Sequence, residues 1–284
     1  MDVLGTLRRY GIRPSKGLGQ NLLVDEAILD AIVQGSGVGS EDLVLEIGPG
    51  LGTLTRRLAS KANQVVAVEL DRRMVSILES ELAETDNVRI VQGDILELAP
   101  SELLAEELAT HSGYSVVANL PYYITSAALR HLLTGRRPER MTVMVQREVA
   151  ERIMAQPGKL SLLALSVQVF GAPQLVCRVP SSAFFPEPKV SSAVIRVDMY
   201  DEPLVPEALQ EAFFGVARAG FSQKRKQLHN SLRSGLRVSS EAVRAALEQA
   251  GVDATRRAQT LSIEEWVRLA EGLGRAAYCA GRMQ

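Results

Sequence analysis

Through the first two thirds of this 284-residue chain, short apolar runs closed by turn residues alternate with amphipathic segments, which restricts the fold to very few classes. The runs at 43–47, 64–68, 88–91, 115–118, 141–145, 174–179 and 192–197 read as strands. Between the first five, segments such as 52–59 and 72–83 repeat apolar residues at three-to-four spacing, the period of a helix with one buried face. Strands that alternate with helices predict an α/β fold with a doubly wound, mostly parallel sheet. After residue 197 the pattern changes. A stretch at 200–206 with two prolines reads as a linker, and 207–217, 223–234, 241–249 and 263–273 carry helix periodicity alone. The expected organisation is a domain at 1–200 and a small all-helical domain at 201–284.

The uncharged run 160–177 does not read as a membrane span, because Ser161, Ser166, Gln168, Gly171, Pro173 and Gln174 interrupt it. It predicts a buried helix, a turn at 171–173 and a strand. The N-terminus is too polar for a signal peptide. Cys177 and Cys279 lie far apart and follow no metal spacing, so no disulfide framework and no metal site are expected, and the pattern fits a reducing cytoplasm.

The run at 43–47 leads into Gly48-Pro49-Gly50-Leu51-Gly52-Thr53 and then into a helix. Glycines there let the chain turn sharply and let a ligand approach main-chain N–H groups at a helix start. At the end of the next strand stands Glu69, placed to accept from a ribose diol. These features suit a dinucleotide or S-adenosylmethionine equally. Three others favour the sulfonium. Thr53 occupies the third glycine position of the dinucleotide fingerprint. Glu46 sets a carboxylate where a pyrophosphate would lie, which suits a positive cofactor without phosphate. Gly93-Asp94-Ile95, after the third strand, offers an acceptor for an adenine amine and an apolar cover for the ring. Asp94 is equally suited to a plain turn or cap.

After the fourth strand comes Asn119-Leu120-Pro121-Tyr122. An adenine exocyclic amine is a poor nucleophile because its lone pair is delocalised into the ring. Two carbonyl acceptors localise that pair: the Asn119 side chain and the main chain of Leu120, which precedes proline and is biased to an extended conformation. No strong general base is required, so catalysis is positioning and preorganisation. Tyr122 offers a face for an extruded base, and stacking worth roughly 1–3 kcal/mol matches the cost of flipping. Phe184 or Phe185, in a loop stiffened by Pro186 and Pro188, offers a second face. Tyr122 and Phe184 also suit a purely structural role in the core.

Net charge is −1, yet 215–240 holds no acidic residue and includes Arg218, Lys224, Arg225, Lys226, Arg233 and Arg237. Arg8, Arg9, Arg13 and Lys16 form a second basic group. Either can be a solvated face, but two patches flanking a methyl-transfer motif point to RNA.

Taken together, Lys16 to Leu23, Glu46 to Thr55, Glu69-Leu70-Asp71, Gly93-Asp94, Asn119 to Tyr122, Gln146 to Ala150, Phe184 to Val190 and Lys224-Arg225-Lys226 closely resemble the ribosomal RNA adenine N6,N6-dimethyltransferase family, over nearly the whole chain. The resemblance implies a class I methyltransferase domain of Rossmann-like fold, with a cofactor- and RNA-contacting N-terminal arm, and a helical RNA-binding domain. It implies that Asn21, Leu23, Gly48, Glu69, Asp94 and Asn119 line an S-adenosylmethionine site and that Tyr122 and Phe184 hold the base. The chain is expected to act in the cytoplasm as a monomer. Bacterial members of the family dimethylate two adjacent adenosines near the 3′ end of 16S rRNA in an assembling small ribosomal subunit. Leu22 replaces the family's usual phenylalanine and Gln259 a frequent glutamate.

Three other readings share parts of this pattern. The 23S rRNA methyltransferase of macrolide resistance has the same cofactor and base-holding motifs, but the long helical tail and Leu120 in place of isoleucine favour the small-subunit enzyme. An assembly factor with dispensable methylation would not need Asn119, Tyr122, Glu69 and Asp94 intact. A nicotinamide oxidoreductase leaves 119–122 and the basic tail unexplained.

Overall fold

The computed structural model describes residues 2–15 and 17–281. Lys16 of the N-terminal basic group lies outside the described residues, as do the side chains of 275–281, Cys279 among them. In chain order the elements are α1 (Val3–Arg9), β1 (Leu22–Leu23), α2 (Glu26–Ser36), β2 (Leu43–Ile47), α3 (Thr53–Ala59), β3 (Gln64–Glu69), α4 (Arg72–Glu81), β4 (Val88–Gln92), α5 (Pro100–Leu103), β5 (Ser115–Asn119), α6 (Thr125–Leu132), β6 (Arg140–Gln146) and α7 (Arg147–Ile153). They continue with α8 (Leu162–Gln168), β7 (Gly171–Val179), β8 (Phe184–Phe185), β9 (Ser192–Met199), α9 (Glu207–Phe221), α10 (Leu228–Leu236), α11 (Ser240–Gln249) and α12 (Ile263–Gly281).

Seven strands form one sheet in the order β4-β3-β2-β5-β6-β9-β7. The pairs among β4, β3, β2, β5 and β6 are parallel, and β9 runs antiparallel to β6. This is the α/β fold that the alternation predicts. The central strands are apolar on both faces, as in Leu43-Val44-Leu45 and Val65-Val66-Ala67, all buried, because helices cover the sheet on either side. From β2 the chain winds outward through β3 to β4, then returns to the other side of β2 as β5. The order therefore reverses between β2 and β5, and the loops leaving their carboxyl ends diverge around a crevice.

The expected turn at 171–173 is instead the start of β7, and the turn falls at Val169 and Phe170. Pro173 is tolerated there because β7 is the last strand of the sheet, where a missing N–H need not break a ladder.

The chain divides into two compact units, 1–150 with 173–199 and 151–172 with 200–284. A single cut at residue 200 therefore misassigns 151–172. In the second unit, Ala164, Leu165 and Val167 of α8 are buried, and Phe170 stacks on Phe214 of α9 with ring centroids 6.3 Å apart. The expected linker belongs to this unit too: Tyr200 and Leu204 donate their N–H groups to Phe170 and Val169 at 2.9 Å, and Val205 is buried. Trp266 of α12 stacks on Phe221 at 5.4 Å. That approach requires Gly220, where a Cβ would collide with the indole. The helix expected at 223–234 begins only at Leu228, so Lys224, Arg225 and Lys226 stand in an exposed turn between α9 and α10.

Candidate active site

The crevice between β2 and β5 opens into a cavity of about 210 Å³. Its walls come from the segment before β1, the turn after β2, the ends of β3 and β4, and the loop after β5. Asn21, Gly48, Glu69, Asp94, Asn119, Leu120, Tyr122 and Phe184 all line it, so residues spread over 164 positions of sequence are brought to one place. Leu23 does not. It is 5% exposed, packs with Leu29, Leu54 and Phe184, and reaches only an adjoining cavity of about 30 Å³. The short β1–β8 pair explains this: successive residues of a strand point to opposite faces, and Leu22, not Leu23, lines the larger cavity. The same alternation separates the two phenylalanines. Phe184 reaches the cavity while being 4% exposed, whereas Phe185 is 40% exposed and does not line it.

The glycine turn is held from below. Gly48 donates to the Val68 carbonyl at 3.0 Å and Gly50 to Glu69 Oε2 at 3.1 Å. Both have positive φ, 69° and 58°, which an L side chain would strain. Glu69 Oε1 accepts from the Asp71 N–H at 2.9 Å. Burial raises the Glu69 pKa above the ordinary carboxylate range, with the Asp71 and Gly50 N–H groups opposing the shift. Glu46, in β2 just before the turn, is buried; burial drives its pKa to about 8, the Thr55 hydroxyl opposing and the Glu69 charge adding. Asp94 has both of the roles open to it from sequence: its Oδ1 accepts from the Leu96 N–H at 2.9 Å, capping the turn, and it lines the cavity beside buried Ile95.

Asn119, the last residue of β5, donates its Nδ2 to the Asn21 carbonyl at 3.3 Å. That commits the amide N–H₂ to the scaffold and leaves Oδ1 to act as an acceptor. Tyr122 is anchored by a hydrogen bond of 2.7 Å between its hydroxyl and Ser192 Oγ on β9, which holds the far end of the side chain in place. Two features had no signal in the sequence. Gln20 Nε2 donates to Asp71 Oδ2 at 3.0 Å, tying the N-terminal segment to the start of α4. The Arg73 guanidinium, followed by this contact among the lowering groups, holds the Asp71 pKa below the usual range. The other is Tyr123, which lines the cavity mouth at 61% exposure with its ring close to Gly19.

Among the described residues, those lining the larger cavity include two carboxylates and no lysine or arginine. Such a site repels phosphate and favours a cation. Among the described residues, no group of three His, Cys, Asp or Glu side chains is placed to hold a metal ion, and no helix is long and apolar enough to cross a membrane.

Residues 13–274 match the model of the family described as ribosomal RNA adenine dimethylase. The ribosomal RNA small subunit methyltransferase A of Dehalococcoides mccartyi (strain ATCC BAA-2266 / KCTC 15142 / 195) is 45% identical over 261 residues, 92% of this chain and 88% of that protein. The enzyme of the same name from Geobacillus thermodenitrificans is 43% identical over 273 residues, covering 94% and 93%. Among solved structures, a dimethyladenosine transferase from Plasmodium falciparum superposes with a TM-score of 0.76 at 25% identity, over 90% of this chain and 98% of that one. The 23S rRNA methyltransferase ErmE superposes with a TM-score of 0.70 at 30% identity, over 89% and 100%. With its switch-point cavity, its Asn119 to Tyr122 loop and a family match over nearly its full length, the chain belongs to the ribosomal RNA adenine dimethylase family.

Proposed function

We propose that this protein transfers methyl groups from S-adenosylmethionine to the exocyclic amine of adenosines in small-subunit ribosomal RNA, two to each of two adjacent adenosines near the 3′ end of 16S rRNA. The observation that carries this reading is the convergence of Asn119, Tyr122 and Phe184 on a cavity whose charged lining, among the described residues, is acidic. The residues fit the cofactor: Glu69 and Asp94 supply acceptors, no lysine or arginine among the described residues lines the cavity to meet a phosphate, and a buried Glu46 oxygen, Oε2, lacks a hydrogen-bond partner. Bound there, the cofactor supplies an electrophilic methyl group on a positive sulfur.

The chain's own residues do the rest. Glu69 holds the ribose, Asp94 the adenine amine, and Asn21 and Gly48 border the remainder. Asn119 Oδ1 and the Leu120 carbonyl accept from the target amine and localise its lone pair, while Tyr122 and Phe184 sandwich the flipped base. Anchored at its hydroxyl, Tyr122 has less freedom left to lose when the base arrives. After transfer the amine is a strong acid and loses its proton to water, so no residue has to act as a strong base.

The basic residues of the second unit, exposed in and around the α9–α10 turn, supply phosphate contacts. The protein acts in the cytoplasm as a monomer on an assembling small subunit. The similarity to ErmE keeps the large subunit as a second reading, but the small-subunit relatives are nearer, at 45% and 43% against 30% identity. Labelled methyl transfer to undermethylated 30S and to 50S particles, followed by nucleoside analysis, tests the choice. Dimethyladenosine in the 30S particle alone is expected. Label in the 50S particle would transfer the assignment to the resistance-type reaction, and none in either would leave the assembly-factor reading.

A further inference from the structure

Glu46 is the one charged residue of β2, and its side chain is almost wholly buried, at 1% exposure. Its Oε2 has no hydrogen-bond partner. It lines the smaller cavity, which shares Leu22, Gly48, Gly50 and Asn119 with the larger one, so the carboxyl stands directly behind the glycine turn. Among the described residues no cation compensates it. On β3 the facing charge is Glu69, another carboxyl, with Asp71 beyond it. The β5 residues 115–119 include no charge. On α3, Arg56 turns to Glu81, and Arg57 to Asp30 and Glu26. On α2, Asp25 caps its own helix. A carboxyl so buried, beside a second carboxyl and opposed only by the Thr55 hydroxyl, holds a proton at neutral pH until a positive charge arrives nearby.

We propose that Glu46 senses the charge of the ligand: it releases its proton when the sulfonium cofactor enters the cavity and takes one back when methyl transfer leaves the neutral thioether. On binding, the Glu46 O–H bond breaks and the proton passes to solvent, so the site gains one negative charge as it gains one positive. After transfer the sulfonium charge is gone, and a proton from solvent restores the acid. Methyl donor and S-adenosylhomocysteine product thus differ in how binding depends on pH. Because a proton must leave, donor binding tightens as pH rises towards 8 and levels off above it, whereas product binding lacks that slope.

The test is calorimetric. Donor and S-adenosylhomocysteine are titrated at pH 7 into the wild type and Glu46→Gln, each in phosphate and in Tris, whose ionisation heats differ. With the acid form near nine-tenths populated in the free site, the wild type should release roughly 0.5–0.9 proton more than the variant per donor bound. With the product the two proteins should agree. The donor's own amine titrates identically in both and cancels in the difference. Equal release by wild type and variant, or an equal excess with donor and product, overturns the proposal. Should the glutamine variant fail to fold, ¹³C-glutamate-labelled wild type serves instead: donor, but not product, should remove one carboxylic-acid carbonyl band in the infrared, and its persistence overturns the proposal. Absence of donor binding to the wild type would instead remove the cofactor assignment on which the proposal rests.

Discussion

At the scale of single residues, the site depends on acceptors held in place before the substrate arrives. Asn119 has its N–H₂ committed to Asn21, so Asn119→Ala removes an oxygen needed chiefly in the transition state while leaving the RNA surface untouched. Single-turnover methylation should fall by roughly 100-fold or more with RNA affinity retained. A near-normal rate would remove Asn119 from the chemistry. Glu46 carries the opposite kind of burden. Its folded-state pKa is raised to about 8, above that of the unfolded chain, so the penalty for burying it grows from about pH 4.5 upward and is complete above pH 8. Glu46→Gln, which resembles the neutral form, should stabilise the protein by a few kcal/mol, roughly 2–4, at pH 8, and by much less at pH 5. Denaturant melts of both proteins at the two pH values check it, and a pH-independent difference would mean that the carboxyl is already ionised in the fold.

At the scale of elements, function concentrates where strands stop. β2, β3, β4 and β5 each end at a residue or turn that faces the cavity, since a parallel sheet aims all its carboxyl ends the same way. The α9–α10 turn is the corresponding feature of the second unit. Lys224, Arg225 and Lys226 are exposed there and make no ion pair with another described residue that would be lost with them. Replacing all three with alanine should leave the fold intact and weaken binding to 30S particles. It should also make the slope of log affinity against log salt shallower by about 2, from three phosphate contacts. An unchanged slope would move the RNA surface to other residues.

At the scale of the whole molecule, ligand binding is linked to stability. Donor at about 100 times its dissociation constant should add ~2.7 kcal/mol to folding. Scanning calorimetry should then show the unfolding midpoint rise by about 5 °C, with no rise for a nicotinamide dinucleotide. A shift with the dinucleotide alone would return the cavity to the oxidoreductase reading. Much of this architecture was legible beforehand, because strand and helix periods report burial directly: the seven strands, Gly48, Glu69, Asp94 and the Asn119 to Tyr122 loop were all marked by local pattern. What local pattern could not carry were features made by partners distant in sequence. The two-residue strands β1 and β8 are too short to have a period, and only their pairing decides that Leu22 and Phe184 reach the larger cavity while Leu23 and Phe185 do not. The segment 151–172 joins the second unit because Phe170 finds Phe214, a contact that no window of sequence contains. Sequence by itself thus determined the fold class and the chemical groups available, since both follow from residue type and spacing. The tertiary structure alone decided which of those groups share a cavity and which carboxyl oxygen is left without a hydrogen bond, since burial and hydrogen bonding are properties of neighbours in space.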